Sequence, residues 1–222
     1  MLSPLLANVL LDEVDRELER RGHRFVRYAD DCNVYVQSQK AGERVLRGLR
    51  GCYAKLALKV NESKTAVGEV WGRKFLGYCF WRSPNRDGRG EARRAVATEA
   101  ITRLKQRIRS LTRRIRGSSL AEIATDLKGY VPGWKAYFRL AQTPGVFAKL
   151  DAWLRHRLRA IQLTQWKTAR TMYRELRAMG ARHATAAGVA AHAGRWWFTS
   201  CHGMNNALPI HYFDRLGVPK FS

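Results

Sequence analysis

The hydrophobic period changes once along this chain, and that change limits the fold more than any other feature. From Thr98 onward, Ile101, Leu104, Ile108, Leu111 and Ile115 recur at alternating steps of three and four. That spacing puts one apolar stripe on a helix. Before Thr98 the apolar residues come in short runs bounded by polar turns. Phe25-Val26-Arg27-Tyr28 and Cys32-Asn33-Val34-Tyr35-Val36 flank Ala29-Asp30-Asp31, which reads as two strands joined by an acidic turn. The chain is therefore expected to be α+β: a small antiparallel sheet with helices first, then an all-α part.

The remaining elements fill in around that division. Ser3, as N-cap, and Pro4 open an amphipathic helix whose apolar side is Leu5, Leu6, Val9, Leu10, Val14 and Leu18, ended by Gly22. Asp12 and Asp15 fall on its solvated face. A second helix is expected over 41–57, short strands at 58–60 and 65–67, and one strand over 75–81. The stretch 84–90 reads as a loop and marks a domain boundary, followed by a strand over 92–97. Helices are expected over 98–116, 119–139, 146–163 and 166–179, and the last forty residues read as irregular and aromatic-rich.

Charge then narrows the partner. The 222 residues hold 41 Lys and Arg against 18 Asp and Glu, a net charge of +23. Residues 1–90 hold 17 and 11, and residues 91–222 hold 24 and 7. This imbalance points to a polyanion, DNA or RNA, bound through its phosphates, chiefly by the second part. Hydrophobic residues at 45% exclude wholesale disorder. No run approaches a membrane span and no secretory signal opens the chain. Cys32, Cys52, Cys79 and Cys201 are scattered without CxxC spacing, which argues against a zinc finger or a disulfide framework. A cytoplasmic setting is expected, without a membrane partner.

Adjacent Asp30 and Asp31 at a hairpin tip repel one another, and a divalent cation such as Mg²⁺ relieves that repulsion. An isolated Asp-Asp pair is also an ordinary solvated turn. Here it stands in a longer pattern. Tyr28-Ala29-Asp30-Asp31 between apolar strands resembles the catalytic hairpin of reverse transcriptases. Ser3-Pro4-Leu5-Leu6-Ala7-Asn8 resembles the start of the preceding palm helix. Asn61-Glu62-Ser63-Lys64-Thr65 is similar to the next motif, and Phe75-Leu76-Gly77-Tyr78 resembles the primer grip. Gly133-Trp134-Lys135-Ala136-Tyr137-Phe138 with Leu150-Asp151-Ala152-Trp153-Leu154 looks like the maturase domain of group II intron-encoded proteins. Asn206-Ala207-Leu208-Pro209 with Tyr212-Phe213 and Leu216-Gly217 is similar to the end of that domain.

The resemblance implies a partial polymerase palm over 1–90, the start of a thumb over 91–118, and a maturase-specific helical domain over 119–222. It implies that Asp30 and Asp31 hold Mg²⁺, that Lys64 assists at the triphosphate, and that Tyr28, Phe75, Leu76 and Gly77 contact the primer. A structural role competes at each: Phe75 and Leu76 as core, Lys64 as a surface cation. Arg103, Arg107, Arg109, Arg113, Arg114, Arg155, Arg159, Lys167 and Arg170, with Arg157, Arg174 and Arg177 beside them, are the candidate RNA contacts. Trp134, Tyr137 and Phe138 read as core, and Trp196 and Trp197 have no assigned role.

The family's fingers motifs and first palm strand, with a further metal-binding aspartate, do not precede Ser3. The two-metal site is therefore expected to be incomplete and the chain not to polymerise alone, as a truncated protein or one half of a split one. A second copy of the chain or an N-terminal partner chain would then cover exposed apolar surface. The expected partners are group II intron RNA, a DNA primer or target, and dNTP once the palm is complete. No endonuclease appendix is recognised, so DNA cleavage is not expected. Three readings follow: a fragment of an RNA-directed DNA polymerase that also assists splicing, a non-catalytic intron RNA-binding splicing factor, and a degenerate remnant.

Overall fold

A computed structural model of the chain describes residues 3–83, 90–113, 117–201 and 204–222, apart from the side chains of Ser3 and Pro4. It consists of two compact units that divide between Phe75 and Leu76, upstream of the expected loop. Residues 84–89 of that loop lie outside the described residues, as does the candidate RNA contact Arg114.

The first unit opens with helix α1 (Ser3–Arg20), then strands β1 (Arg24–Tyr28) and β2 (Asp31–Tyr35), helix α2 (Gln39–Lys55) and the short strand β3 (Lys74–Phe75). β1 and β2 form an antiparallel hairpin closed by the pair Tyr28 and Asp31. Gly22, with φ +70°, ends α1 as the sequence predicts. Ser38 caps α2 by accepting from the Ala41 N–H at 3.3 Å.

The apolar face of α1 departs from expectation. Its buried residues are Leu11, Val14 and Leu18, which pack with Phe25, Cys32 and Val34 of the hairpin and Val45, Leu49, Tyr53 and Leu56 near α2. Leu5, Leu6, Val9 and Leu10 are exposed, Leu5 and Leu6 at 61% each. On a helix of 3.6 residues per turn Leu5 and Val9 fall on the face opposite Leu11, Val14 and Leu18, and Leu6 falls well to one side, so packing that buries the later three leaves them in solvent.

The strands expected at 58–60 and 65–67 do not form. The Leu58 N–H is used to close the end of α2, donating to the Tyr53 carbonyl at 2.8 Å. The Lys64 and Thr65 N–H groups both donate to the Asn61 carbonyl, which makes a turn. A strand ladder needs those groups free.

The second unit begins with strands β4 (Tyr78–Ser83) and β5 (Glu91–Val96), paired antiparallel from Tyr78–Val96 to Ser83–Glu91. The single strand expected over 75–81 is broken at Leu76 and Gly77, with φ +52° and +77°. Helices follow: α3 (Thr98–Leu111), α4 (Leu120–Tyr137), α5 (Pro144–Trp166), α6 (Ala169–Ala178), α7 (His183–Ala191), α8 (Trp196–Cys201), α9 (Met204–Ala207) and α10 (Ile210–Arg215). The last forty residues are thus largely helical rather than irregular. Alanine-rich α7 shows no polar-apolar contrast for a period to reveal, and the other three are about one or two turns long.

The α4 start carries a complete capping box, in which Ser119 and Glu122 satisfy each other's backbone N–H groups. One core joins α3 to α10: Leu104, Ile108, Leu127, Leu154, Leu158, Met172, Leu176 and Phe213 are all buried in it. The last residues close back onto it. The carboxylate of buried Asp151 accepts from the Phe221 and Ser222 N–H groups at 2.8 and 3.0 Å. The two small antiparallel sheets and the helical remainder make the fold α+β.

Candidate functional site

The acidic hairpin is built by a two-residue turn. Ala29 sits in the left-handed region at φ +53°, and Asp31 is already the first residue of β2. This leaves Asp30 at the tip and Asp31 beside Tyr28, all three exposed, Tyr28 at 63%. Neither carboxylate is hydrogen-bonded or ion-paired to another described residue. Two unneutralised carboxylates one residue apart make a cation-attracting edge.

Arg27 orients that edge, and sequence reasoning missed it. Its Nη1 donates to the Ala29 carbonyl at 3.0 Å and to Asn8 Oδ1 at 2.9 Å. Its Nε and Nη2 donate to Asp15 at 2.5 to 2.9 Å. Asp15 is therefore not on a solvated face: it and Arg27 are both largely buried side chains. The available signal was its position two residues after Phe25, which strand alternation places on the same, inner face of β1. Burial also pushes the nearby Cys32 thiol up.

Lys64 is exposed on the turn after Asn61. Among the described residues no group of three or more His, Cys, Asp or Glu side chains comes together in a metal-binding arrangement.

In the second unit, the Leu76–Gly77 turn is gripped by the end of α4. The Tyr137 hydroxyl donates to the Leu76 carbonyl at 3.0 Å, and the Tyr78 hydroxyl donates to the Tyr137 carbonyl at 2.6 Å. The positive φ of Gly77 favours glycine, and a Cβ there would also press on the Phe138 ring, 3.1 Å away. A groove of about 380 Å³ lies beside the turn, with Arg103, Tyr130 and Trp134 among its walls. Phe138 is core as expected; Tyr137 is exposed and holds the turn instead.

The basic side chains separate into two kinds. Arg103, Arg107, Arg109 and Arg113 are exposed, while Leu104 and Ile108 between them are fully buried. Arg107 lies over the Tyr130 ring, and Lys105 and Arg109 over Trp153. Lys167 and Arg170 are exposed at the start of α6, and Arg155 is half-buried. Arg174 is ion-paired with Glu175, and Arg177 donates to the Ala181 carbonyl.

Arg159 stands apart from these, being buried rather than exposed. It is only 6% exposed, donates to the Leu208 carbonyl at 3.0 Å and lies over the Phe213 ring. Burial, followed by the neighbouring Arg155 charge, pulls its pKa down to about 10. It ties α5 to the C-terminal helices. Arg157 likewise binds the Thr112 side chain and carbonyl at the end of α3. Position on α5 decides this, because that helix is covered on most sides and a basic residue on it can point inward.

No helix of the described residues is long and apolar enough to cross a membrane. Comparison with known families gives two matches. Residues 1–80 match the family described as reverse transcriptase (RNA-dependent DNA polymerase), and residues 101–180 match the group II intron, maturase-specific domain. A search of curated proteins gave no match. The two matches occur in that order, and the acidic hairpin lies within the first and the arginine-lined helices within the second. The chain belongs to the group II intron reverse transcriptase/maturase family.

Proposed function

We propose that the chain binds group II intron RNA through its second unit and assists splicing, as part of a reverse transcriptase that also serves intron mobility. The observation that carries this is α3. Leu104 and Ile108 of its apolar seam are fully buried, and Arg103, Arg107 and Arg109 stand in solvent, inside the maturase-specific match. Guanidinium groups so presented neutralise phosphates and release counterions.

Reverse transcriptases generally use Mg²⁺. Asp30 and Asp31 are the residues of this chain that would contribute to holding it, supplying charge neutralisation at transferring phosphates. Lys64, Tyr28 and the Phe75-Leu76-Gly77 segment are the proposed triphosphate and primer contacts, with a DNA primer or target and dNTP as their partners. Exposed Leu5, Leu6 and Val9 support the reading that a second copy, or a chain supplying the rest of a palm, covers α1.

The test is intron RNA binding against salt concentration. Arg103→Glu/Arg107→Glu should weaken binding and flatten the logarithmic salt dependence by about two units. An unchanged salt slope in a folded variant would rule the α3 interface out. Splicing at reduced Mg²⁺ by Asp30→Ala/Asp31→Ala separates the roles: retained splicing assigns it to RNA binding alone. Primer extension that is lost in the same variant would assign polymerisation to the hairpin.

A further inference from the structure

We propose that Trp197 is a stacking platform for an unpaired RNA nucleobase, held ready by His156. The proposal rests on the RNA-binding reading above and adds a base contact, Trp197, that lies beyond either matched segment. Tandem Trp196 and Trp197 open α8, and they part company at once. Trp196 packs half-buried against the main core, while Trp197 is 45% exposed and Phe198 beside it 50% exposed.

Trp197 is nonetheless held. The His156 ring lies 3.8 Å from the indole centroid to centroid, at an interplanar angle of 36°. His156 Nε2–H also donates to the Trp197 carbonyl at 2.9 Å, and the Ser200 hydroxyl donates to the same carbonyl at 2.7 Å. Ser200 and Thr199 are themselves buried, and the Thr199 hydroxyl donates to the Arg195 carbonyl at 2.9 Å. The indole is thus backed by an aromatic ring, fixed at its backbone, and 45% exposed to solvent. An immobilised aromatic loses little further freedom when a base stacks on it.

Charge indicates the occupant. Residues 152–213 contain nine Lys and Arg and a single carboxylate, Glu175, which Arg174 occupies. Arg155 precedes His156, and exposed Arg195 precedes the tandem tryptophans. A flat exposed ring in a nearly acid-free basic segment suits a polyanion with accessible bases, which is single-stranded RNA. A duplex keeps its base faces stacked internally and gains nothing from the ring.

The experiment uses the full chain, a fluorescent oligouridine and a duplex RNA of equal length. Trp197→Ala should weaken oligouridine binding about five- to a hundredfold. Trp197→Phe should recover most of it, and duplex binding should stay as in the wild type. Oligonucleotide carrying 4-thiouridine should crosslink to α8 in the wild-type chain. Unchanged oligouridine affinity in folded Trp197→Ala, equal losses on duplex and single strand, or no crosslink at α8 would each overturn the proposal. If the wild-type chain binds neither RNA, the α3 reading falls as well. If it binds both and Trp197→Ala changes nothing, only the platform falls.

Discussion

Arg27 of β1 grips Asp15 of α1 with two of its nitrogens and gives the third to the Ala29 carbonyl at the hairpin tip. One guanidinium thereby fixes the carboxylate-bearing turn to the helix beneath it. The pair is largely buried, so removing one partner strands the other's charge. Arg27→Ala should destabilise the first unit by about 2–3 kcal/mol. Arg27→Ala/Asp15→Ala should lose less than the two single variants summed. Denaturant unfolding measures the cycle, and hydrogen exchange at Asp30 should speed up in Arg27→Ala even where the unit stays folded.

The two kinds of arginine should behave oppositely. Arg159→Ala should cost about 1–3 kcal/mol of stability, through a cavity and an orphaned Leu208 carbonyl. Arg159→Met should cost less, since it keeps the aliphatic stem and removes a buried charge. Neither should change RNA affinity in the folded protein. Arg103→Glu should weaken RNA binding and leave the melting temperature within about 2 °C. Thermal unfolding paired with RNA titration on the same samples tests both.

Tyr137 and Gly77 secure the Leu76 turn by different means, a hydrogen bond and an absence of bulk. Tyr137→Phe removes the hydroxyl that reaches the Leu76 carbonyl and should cost about 1 kcal/mol. Gly77→Ala should cost more, about 1–3 kcal/mol, because its φ is positive and its Cβ would press on Phe138. Equal, negligible effects in urea unfolding would show the turn to be held from elsewhere.

Glu17 provides a pH test. Its hydrogen bond from Arg20, with Arg21 also nearby, holds its pKa down to about 2 from the ordinary carboxylate value. The folded form thus favours the ionised carboxylate. The stabilisation is present above the ordinary pKa near 4.5 and is lost as pH falls from there toward about 2. An NMR titration of the Glu17 carboxyl should show this midpoint, and Arg20→Ala should raise it toward the ordinary value.

Sequence alone determined the order of elements wherever a local pattern and the local backbone agreed. The Tyr28-Ala29-Asp30-Asp31 turn needs only neighbouring residues to form, and it lies where alternation predicts it. The α3 seam likewise shows both its buried and its charged side, because burial of a regular helix follows its own period. What a side chain meets from far along the chain was decided by tertiary structure. Leu5 and Leu6 are as apolar as Leu11, Val14 and Leu18, yet they stay in solvent because the hairpin and α2 pack on a different face of α1. Arg159 has the same local surroundings as its exposed counterparts, and became a core tie only because Leu208 and Phe213 fold over it. Asp15 reads as a surface acid until Arg27 crosses to it from the hairpin. A charge on a helix has no intrinsic burial; the elements that later cover that helix determine whether it meets water, a phosphate or a partner.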